Sequence, residues 1–147
     1  MEYKITEKPE LKLIGIKKAF NSTNSNEGIP KFWDEIMKTA DWANGLIKGL
    51  YGLCYEEKGD NFLYMIADDY DPQKKVPKHY EIITLPKCLY AIFPCKGKIP
   101  DAIQDTNTKI FSDWLPNCKD YKKKENYTLE VYLENDYTEI WIPIEKI

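Results

Sequence analysis

A glutamate with aromatic neighbours in the last quarter of the chain is the feature of this sequence best suited to chemistry. Tyr132 follows Glu130 by two residues, and Trp141 comes shortly after them. A carboxylate placed among aromatic rings is partly desolvated, so its pKa should rise above the ordinary value. It attracts a cation by charge, and the ring faces add cation–π attraction of about 0.5–2 kcal/mol each. This combination favours hydrophobic amines and dyes as ligands.

Residues for other kinds of catalysis are scarce. The chain contains one histidine, His79, three serines and no G-x-S-x-G motif, which leaves little material for a Ser–His–Asp triad. The four cysteines are Cys54, Cys88, Cys95 and Cys118. None of them lies in a C-x-x-C pair, so their spacing does not predict a zinc site. We therefore expect no metal and no cofactor.

Composition and charge limit the class of partner. The 147 residues are 43% hydrophobic and 31% charged, which is typical of one folded domain over residues 1–147. The net charge is −3 and every basic residue is a lysine, so bidentate arginine contacts with guanine are impossible and direct nucleic-acid binding is not expected. The longest apolar run, about Leu89–Cys95, is too short to span a membrane, so no membrane partner is expected. Without an apolar leader after Met1, a cytoplasmic protein with reduced thiols is expected.

An internal repeat must position these residues, because similar landmarks recur at an offset of 77. Tyr3–Pro9 resembles Tyr80–Pro86, and an apolar, strand-like stretch follows each segment. A helical pattern and then two strands come next in each half. The sequence thus predicts the unit β-α-β-β twice within a single domain, over residues of about 1–70 and 78–147.

Ile-Pro steps and short polar loops mark the boundaries of the predicted elements. Ile29-Pro30 and Ile99-Pro100 precede the helical patterns, since proline is well tolerated at the first position of a helix. Lys58-Gly59 and Asn135-Asp136 separate the strands of the two hairpins and suit two-residue loops. The hairpin strands are therefore predicted at 50–57 and 61–68, and at 127–134 and 137–144.

The second hairpin loop sets which residues lie opposite one another. A two-residue loop at Asn135-Asp136 places Glu130 opposite Trp141. Because side chains alternate between faces, Tyr132 shares that face, and the apolar residues of the other face are predicted to pack on the helices. Glu139, which is nearer to the turn, is expected to be more exposed than Glu130.

The first hairpin extends the predicted pocket. A loop at Lys58-Gly59 places Leu53 opposite Tyr64, and the offset of 77 makes Tyr64 and Tyr55 the counterparts of the aromatic pair in the second hairpin. Tyr51 lies on the same face as Tyr55 by alternation. The candidate ligand-binding residues are therefore Glu130, Trp141, Tyr132, Tyr64, Tyr55 and Tyr51.

A plainer interpretation exists for each of these residues. A strand glutamate or tyrosine is ordinarily exposed on a solvated sheet face. The aromatic neighbours of Glu130 favour a pocket over that alternative. Trp33 and Trp114 stand at helical spacing and are interpreted as core residues.

The sequence resembles the GyrI-like effector-binding domains, which sense ligands in many AraC-type and MerR-type regulators and also occur alone. The resemblance rests on Leu85-Pro86 with Leu89–Phe93, on Trp114-Leu115-Pro116, on Leu129–Tyr132 and on Glu139–Ile144. Tyr51-Gly52-Leu53 is a weaker match in the first half. The match extends over nearly the whole chain.

The resemblance implies an α+β fold with a duplicated β-α-β-β module and an antiparallel curved sheet. Both helices are expected on one face, and a ligand cleft on the pseudo-two-fold axis, on the sheet faces away from the helices. It also implies that Glu130 is the buried acid that many members use against cationic lipophilic compounds, with Trp141 at an aromatic position of the pocket.

The expected function is that of a stand-alone protein that binds a hydrophobic small molecule, including a cationic one. Such binding would serve transcription regulation through a regulator protein as partner, or the sequestration of a drug. One alternative implied by the resemblance is a hydrolase of reactive cyclopropane-bearing natural products, with Glu130 as general acid and base. Another is an inhibitor that binds a protein target such as DNA gyrase. A binding protein is favoured over an enzyme, so no catalytic residue is assigned outside the hydrolase alternative.

Overall fold

Strands precede and follow a helical segment in each half of the chain. The computed structural model describes residues 1–133 and 137–147. The first half contains β1 (Lys4–Lys8), β2 (Leu11–Asn21), α1 (Ser25–Met37), α2 (Ala40–Ala43), β3 (Tyr51–Lys58) and β4 (Asn61–Asp69). The second half contains β5 (Glu81–Leu85), β6 (Cys88–Cys95), α3 (Asp101–Lys109), a π-helical turn (Ile110–Trp114), α4 (Leu115–Asn117), β7 (Tyr121–Lys123), β8 (Tyr127–Tyr132) and β9 (Thr138–Lys146). None of the helices in these described ranges is long and apolar enough to cross a membrane.

The repeat recognised in the sequence is present in the structure. β1 and β4 have the same lengths as β5 and β9, which begin 77 positions later. The α+β fold with a duplicated unit, a curved antiparallel sheet and both main helices on one face is confirmed. Each unit has an additional strand at its start, because the segments Tyr3–Pro9 and Tyr80–Pro86 form β1 and β5, and the second unit also contains the short strand β7.

The order of strands in the sheet reflects the duplication. It runs β1-β6-β9-β8-β3-β4-β2-β5 with every neighbouring pair antiparallel, and β7 pairs with β9 beside this path. β1 corresponds to β5, β6 to β2, β9 to β4 and β8 to β3, and the two strands of each pair lie equally far from the centre of this order. A pseudo-two-fold axis therefore passes between β8 and β3. The outermost strands are exchanged: β1 of the first half pairs with β6 of the second, and β5 pairs with β2.

Both faces of the sheet are buried. On the face away from the helices, Leu13 in β2, Tyr90 in β6 and Leu129 in β8 belong to one cluster and are fully buried. Because strands far apart in the order meet in this cluster, the sheet curves around it. The helix face carries a cluster in each half, one with Phe32 of α1 and one with Ile103 of α3.

The register of the first hairpin differs by one residue from the prediction. Tyr64 pairs with Cys54, so the predicted pairing with Leu53 is wrong. The cause is an irregularity in β3 between Tyr55 and Lys58, where two residues oppose one and Glu56 has a positive φ of 50°. A β-bulge of this kind adds one residue to one strand and so turns the side chains beyond it to the other face.

The register of the second hairpin is also shifted by one residue. Glu130 pairs with Ile140, and Trp141 pairs with Leu129, so the predicted pairing of Glu130 with Trp141 is wrong. Near the turn, the Leu133 amide donates to the Tyr137 carbonyl at 2.8 Å. Three residues separate these two in the sequence, and a connection longer by one residue changes the register by one. The predicted loop at 135–136 lies outside the described residues.

The first helix begins earlier than its proline suggests. α1 starts at Ser25, so the predicted start at Pro30 is wrong, whereas Pro100 directly precedes α3. Proline has no amide hydrogen to donate to the carbonyl four residues back, which is that of Asn26. The side chain of Gln104 in α3 donates to that carbonyl instead, with Nε2 and O 3.3 Å apart. A helix can therefore continue through Pro30, and the two helices are linked at this point.

The core of the central strands should be sensitive to truncation. Leu129→Ala removes a fully buried side chain from β8, and we expect the free energy of unfolding to fall by about 2–5 kcal/mol. Urea unfolding followed by circular dichroism measures this. Ile82→Ala in the edge strand β5 is the control, because Ile82 is 42% exposed and should cost less than about 1 kcal/mol. Equal losses in the two variants would contradict the assignment of the core.

Candidate functional site

A cavity of about 950 Å³ lies where the two halves meet, on the side of the sheet that carries the helices. Its floor includes Cys54, Tyr64, Thr128, Glu130 and Tyr132. Its helical walls include Ile29, Trp33 and Met37 of α1, Ile103, Gln104 and Asn107 of α3, and Phe111 of the π-helical turn. The expected position of the cleft, on the faces away from the helices, is therefore wrong.

A chain of hydrogen bonds holds the Glu130 carboxylate on the cavity floor. Tyr64 Oη donates to Glu130 Oε1 at 2.6 Å, and Tyr132 Oη donates to the same oxygen at 2.7 Å. Trp33 Nε1 donates in turn to Tyr64 Oη at 3.0 Å. The Trp33 and Tyr132 rings meet edge to face with their centroids 5.0 Å apart. Oε2 of Glu130 accepts no hydrogen bond from the described residues.

Burial dominates the acid–base behaviour of this network. It raises the pKa of Glu130 above the ordinary value, and the hydrogen bonds from Tyr64 and Tyr132 offset part of that rise. Burial also raises the pKa of both tyrosines well above the ordinary value, with the nearby Glu130 charge adding to it. Both phenols therefore stay protonated and remain hydrogen-bond donors to the carboxylate at neutral pH.

Gly52 of β3 makes room for the carboxylate. It pairs directly with Glu130 in β8. A Cβ atom on Gly52 would lie 2.5 Å from Glu130 Oε1 and would also overlap Tyr64 Oη. Only a residue without a side chain allows the phenol and the carboxylate to meet above the backbone of β3, which is a physical reason for glycine at this position.

The charges that line the cavity are all of one sign. Besides Glu130, they are the carboxylates of Asp34, Glu57 and Asp60, which are exposed towards the rim, and the described lining includes no lysine. The Cys54 thiol, 3.8 Å from Glu57, is a poor nucleophile because burial and the charges of Glu57 and Glu130 raise its pKa to about 12. Over residues 1–133 and 137–147, no three His, Cys, Asp or Glu side chains converge to hold a metal ion.

A smaller cavity of about 470 Å³ lies at the end of β4 and shares Tyr132 with the larger one. Asp68, its most enclosed carboxylate, already accepts hydrogen bonds from the backbone amides of Lys48 at 2.7 Å and Leu50 at 3.0 Å. The Asp68 carboxylate is thus already used to hold the chain before β3 in place. The larger cavity is therefore the better candidate for ligand binding.

The structure brings together three of the six predicted pocket residues. Glu130, Tyr132 and Tyr64 line the cavity. The other three, Trp141, Tyr55 and Tyr51, belong to or pack against the cluster on the opposite face of the sheet. The one-residue shift of register in each hairpin accounts for the division, since it moves every side chain of a strand to the other face.

The residues on the opposite face form hydrogen bonds of their own. Trp141 Nε1 donates to Glu139 Oε1 at 3.1 Å, and Tyr137 Oη donates to Oε2 at 3.0 Å. Glu139 is only 7% exposed, so the expectation that it is more exposed than Glu130 is wrong, because these donors replace water around it. Tyr51 Oη donates to Asp69 at 2.8 Å. Trp141 and Tyr51 are thus structural residues in this fold.

The sequence model of the Cass2 family, described as integron-associated effector binding protein, matches residues 4–144. The chain belongs to this family. The match covers both halves, and the resemblance to GyrI-like effector-binding domains is confirmed. The protein is therefore a small-molecule-binding domain of the effector-binding class. A comparison with curated protein sequences found no significant match.

Solved structures of similar proteins cover nearly the whole of this effector-binding domain. SAV2435, solved bound to tetraphenylphosphonium, is 28% identical with a TM-score of 0.83, and the alignment covers 99% of this chain and 94% of that one. The integron cassette protein VCH_CASS2 of Vibrio cholerae is 19% identical with a TM-score of 0.77. That alignment covers 97% of this chain and 95% of the other, and at this identity it shows the fold alone.

Sequence reasoning missed the helical walls of the effector cavity. Trp33 is interpreted as a core residue, yet it lines the cavity and its indole nitrogen orients Tyr64. Gln104, Asn107 and Phe111 of the second half also line the cavity and carry no motif. The local sequence carried no signal for them, because a polar or aromatic residue on a helix is ordinarily read as part of its solvated face.

The space above Gly52 can be tested by filling it. Gly52→Ala should lower the free energy of unfolding by about 1–3 kcal/mol, because the added methyl group forces Tyr64 and Glu130 to move. Urea unfolding provides the measurement. The control is Gly59→Asn in the β3–β4 turn, where the positive φ of 62° suits asparagine and a Cβ meets nothing within 4 Å. A Gly52→Ala protein as stable as this control would contradict the described packing.

The raised pKa of Glu130 predicts a particular dependence of stability on pH. Between the ordinary glutamate pKa and the raised one, the folded state binds more protons than the unfolded state. The contribution of Glu130 to stability is therefore present at low pH and is lost as pH rises through the folded-state pKa. Relative to Glu130→Gln, the wild-type protein should lose free energy of unfolding from about pH 4 upwards. Denaturant unfolding of both proteins at several pH values checks this, and a constant difference would contradict it.

Proposed function

We propose that this domain binds lipophilic cations in the cavity between α1 and α3, with Glu130 as the counter-charge. The observation that carries the proposal is the carboxylate itself. Two phenols hold one of its oxygens, and the other accepts no hydrogen bond from the described residues. A half-buried carboxylate with a raised pKa gains from a cation that replaces the lost water.

The walls of the cavity suit an aromatic cation. Trp33, Tyr64, Phe62, Phe111 and Tyr132 line it. Ring faces attract a desolvated positive charge and also bury the apolar part of the ligand. The volume of about 950 Å³ is at the upper end of the usual range for small-molecule sites, so a ligand with several rings fits.

Charge selection begins at the rim. The exposed carboxylates of Asp34, Glu57 and Asp60 give the mouth the same sign as the floor. Anionic compounds are repelled, and cations are concentrated near the opening, although salt screens this exposed part of the field. A relative with 28% identity over nearly the whole chain, SAV2435, was solved with the lipophilic cation tetraphenylphosphonium, which supports the same ligand class here.

Such binding serves either transcription regulation, through a regulator protein that responds to the loaded domain, or the sequestration of a toxic compound. No observation on the described residues favours the hydrolase or the gyrase-inhibitor alternative, and both stay predictions. A protein of this class gains from broad ligand tolerance, because adaptable aromatic walls discriminate mainly by charge and size.

Tetraphenylphosphonium is the probe that tests the proposal, because its charge is independent of pH. Isothermal titration calorimetry should show saturable binding to the wild-type protein. Glu130→Gln should weaken binding by about 2–5 kcal/mol, which is more than tenfold in Kd, because a desolvated charge pair is lost.

Glu139→Gln is the matched control for this experiment. Like Glu130, Glu139 is a carboxylate held by hydrogen bonds from aromatic side chains, in this case one indole and one phenol, but it lies on the opposite face of the sheet. This variant should bind tetraphenylphosphonium with the wild-type Kd. If wild type does not bind, or if both variants lose affinity equally, the proposed function is rejected.

A further inference from the structure

We infer that Gln104 sets the width of the cavity by tying α3 to α1, and that this tie helps to determine the size of the cations that the domain accepts. The inference rests on the proposed function and adds a selection by width to its ligand class. Compared with a domain without the tie, slim aromatic cations are favoured over bulky ones. The argument starts from one hydrogen bond between the two helical walls.

The tie joins a side chain of one wall to the backbone of the other. Gln104 Nε2 of α3 donates to the Asn26 carbonyl of α1 at 3.3 Å. Both residues line the cavity. Of the side-chain hydrogen bonds and ion pairs among the described residues, no other joins these two helices. The separation of the two walls is therefore held at this point.

Pro30 makes the Asn26 carbonyl available for the tie. In a regular helix this carbonyl accepts the amide hydrogen of the residue four positions later, which here is Pro30 and has none. A backbone acceptor that loses its partner within a helix needs one from outside the helix. Gln104 supplies that partner from the facing wall.

Apolar packing fastens each helix to the sheet and not to the other helix. Ile29 of α1 packs against one cluster of buried residues, and Ile103 of α3 belongs to another. The two clusters share no residue. The halves meet on the cavity floor, where the rings of Trp33 and Tyr132 lie edge to face, and this contact holds α1 against β8. The hydrogen bond of Gln104 is thus the contact that relates one wall to the other.

A tie between the walls discriminates ligands by their width. A slim aromatic cation can contact both walls while the bond stays formed, and it benefits from walls that are already in position. A bulky cation gains when the walls can move apart. Because the bond is neutral and exposed, its contribution is small, and we expect a change of about threefold in relative affinity.

The experiment compares two permanent monocations of different width. Tetraphenylphosphonium is bulky in every direction, whereas (4-phenylbenzyl)trimethylammonium carries two rings in line. The measured quantity is the Kd of the slim cation divided by the Kd of the bulky one, from isothermal titration calorimetry. Gln104→Met keeps the length of the side chain and removes the donor, so it should raise this ratio by about threefold.

A second variant acts on the acceptor side of the tie. Pro30→Ala restores an amide hydrogen that competes for the Asn26 carbonyl, so it should shift the ratio in the same direction. It should also keep or raise the thermal midpoint, because alanine favours the helix. A residue that only supported the fold would give no such shift, since α1 is strengthened in this variant.

Gln73→Met is the matched control. Gln73 is the other glutamine of the chain and lies exposed in the linker between the halves, so the same substitution there should leave the ratio unchanged.

The possible failures are distinct. If neither cation binds the wild-type protein, the proposed function itself is rejected. If tetraphenylphosphonium binds but the slim cation does not, the tie is overturned as a determinant of ligand size and the cation site stands. The same conclusion follows if the ratio is unchanged in Gln104→Met or in Pro30→Ala, or if Gln73→Met shifts it equally.

Discussion

A carboxylate can be buried in a protein only where hydrogen-bond donors replace the water it has lost, and the site of this domain depends on meeting that condition at Glu130. The donors come from different parts of the chain: Tyr64 from β4 and Tyr132 from β8. Trp33 of α1 fixes the first of these phenols, and Gly52 of β3 leaves the space in which they meet. Both halves of the chain must therefore fold and pair before the acid has its surroundings.

The sequence predicted the order of helices and strands well. The motifs that reveal the repeat stay recognisable even when the pairing of two strands is wrong by one residue. A strand boundary misplaced by one residue leaves β4 or β9 recognisable as a strand. The face on which a side chain lies is sensitive to such an error, since one extra residue in a strand moves the side chain to the other face. The bulge near Glu56 and the three-residue separation between Leu133 and Tyr137 were sufficient to place Trp141 and Tyr55 on the wrong face. Neither feature has a clear signal in the local sequence.

Because both faces of the sheet are buried, the sequence also lacks the usual guide to the face on which each strand side chain lies. Ile140, Trp141 and Ile142 are consecutive and all buried, so β9 lacks the alternation of apolar and polar residues that assigns a half-buried strand. Glu130 was predicted both from its aromatic neighbours and from the resemblance to the effector-binding family, and it lines the cavity. A motif match does not depend on the register of a hairpin, so the error in counting left it unaffected. The walls formed by α1 and α3 could not be predicted, since their approach to the sheet depends on tertiary packing.

The duplication has a consequence for the floor of the cavity. In the first hairpin Cys54 pairs with Tyr64, as Glu130 pairs with Ile140 in the second, and Leu53 pairs with Leu129 at the centre. Cys54 and Glu130 thus occupy equivalent places. In a symmetric pair of single repeats these two places would carry identical residues, and two acids there would repel each other. Because the two copies are joined in one chain, the places can differ, so a carboxylate occupies one place on the cavity floor and a thiol the other.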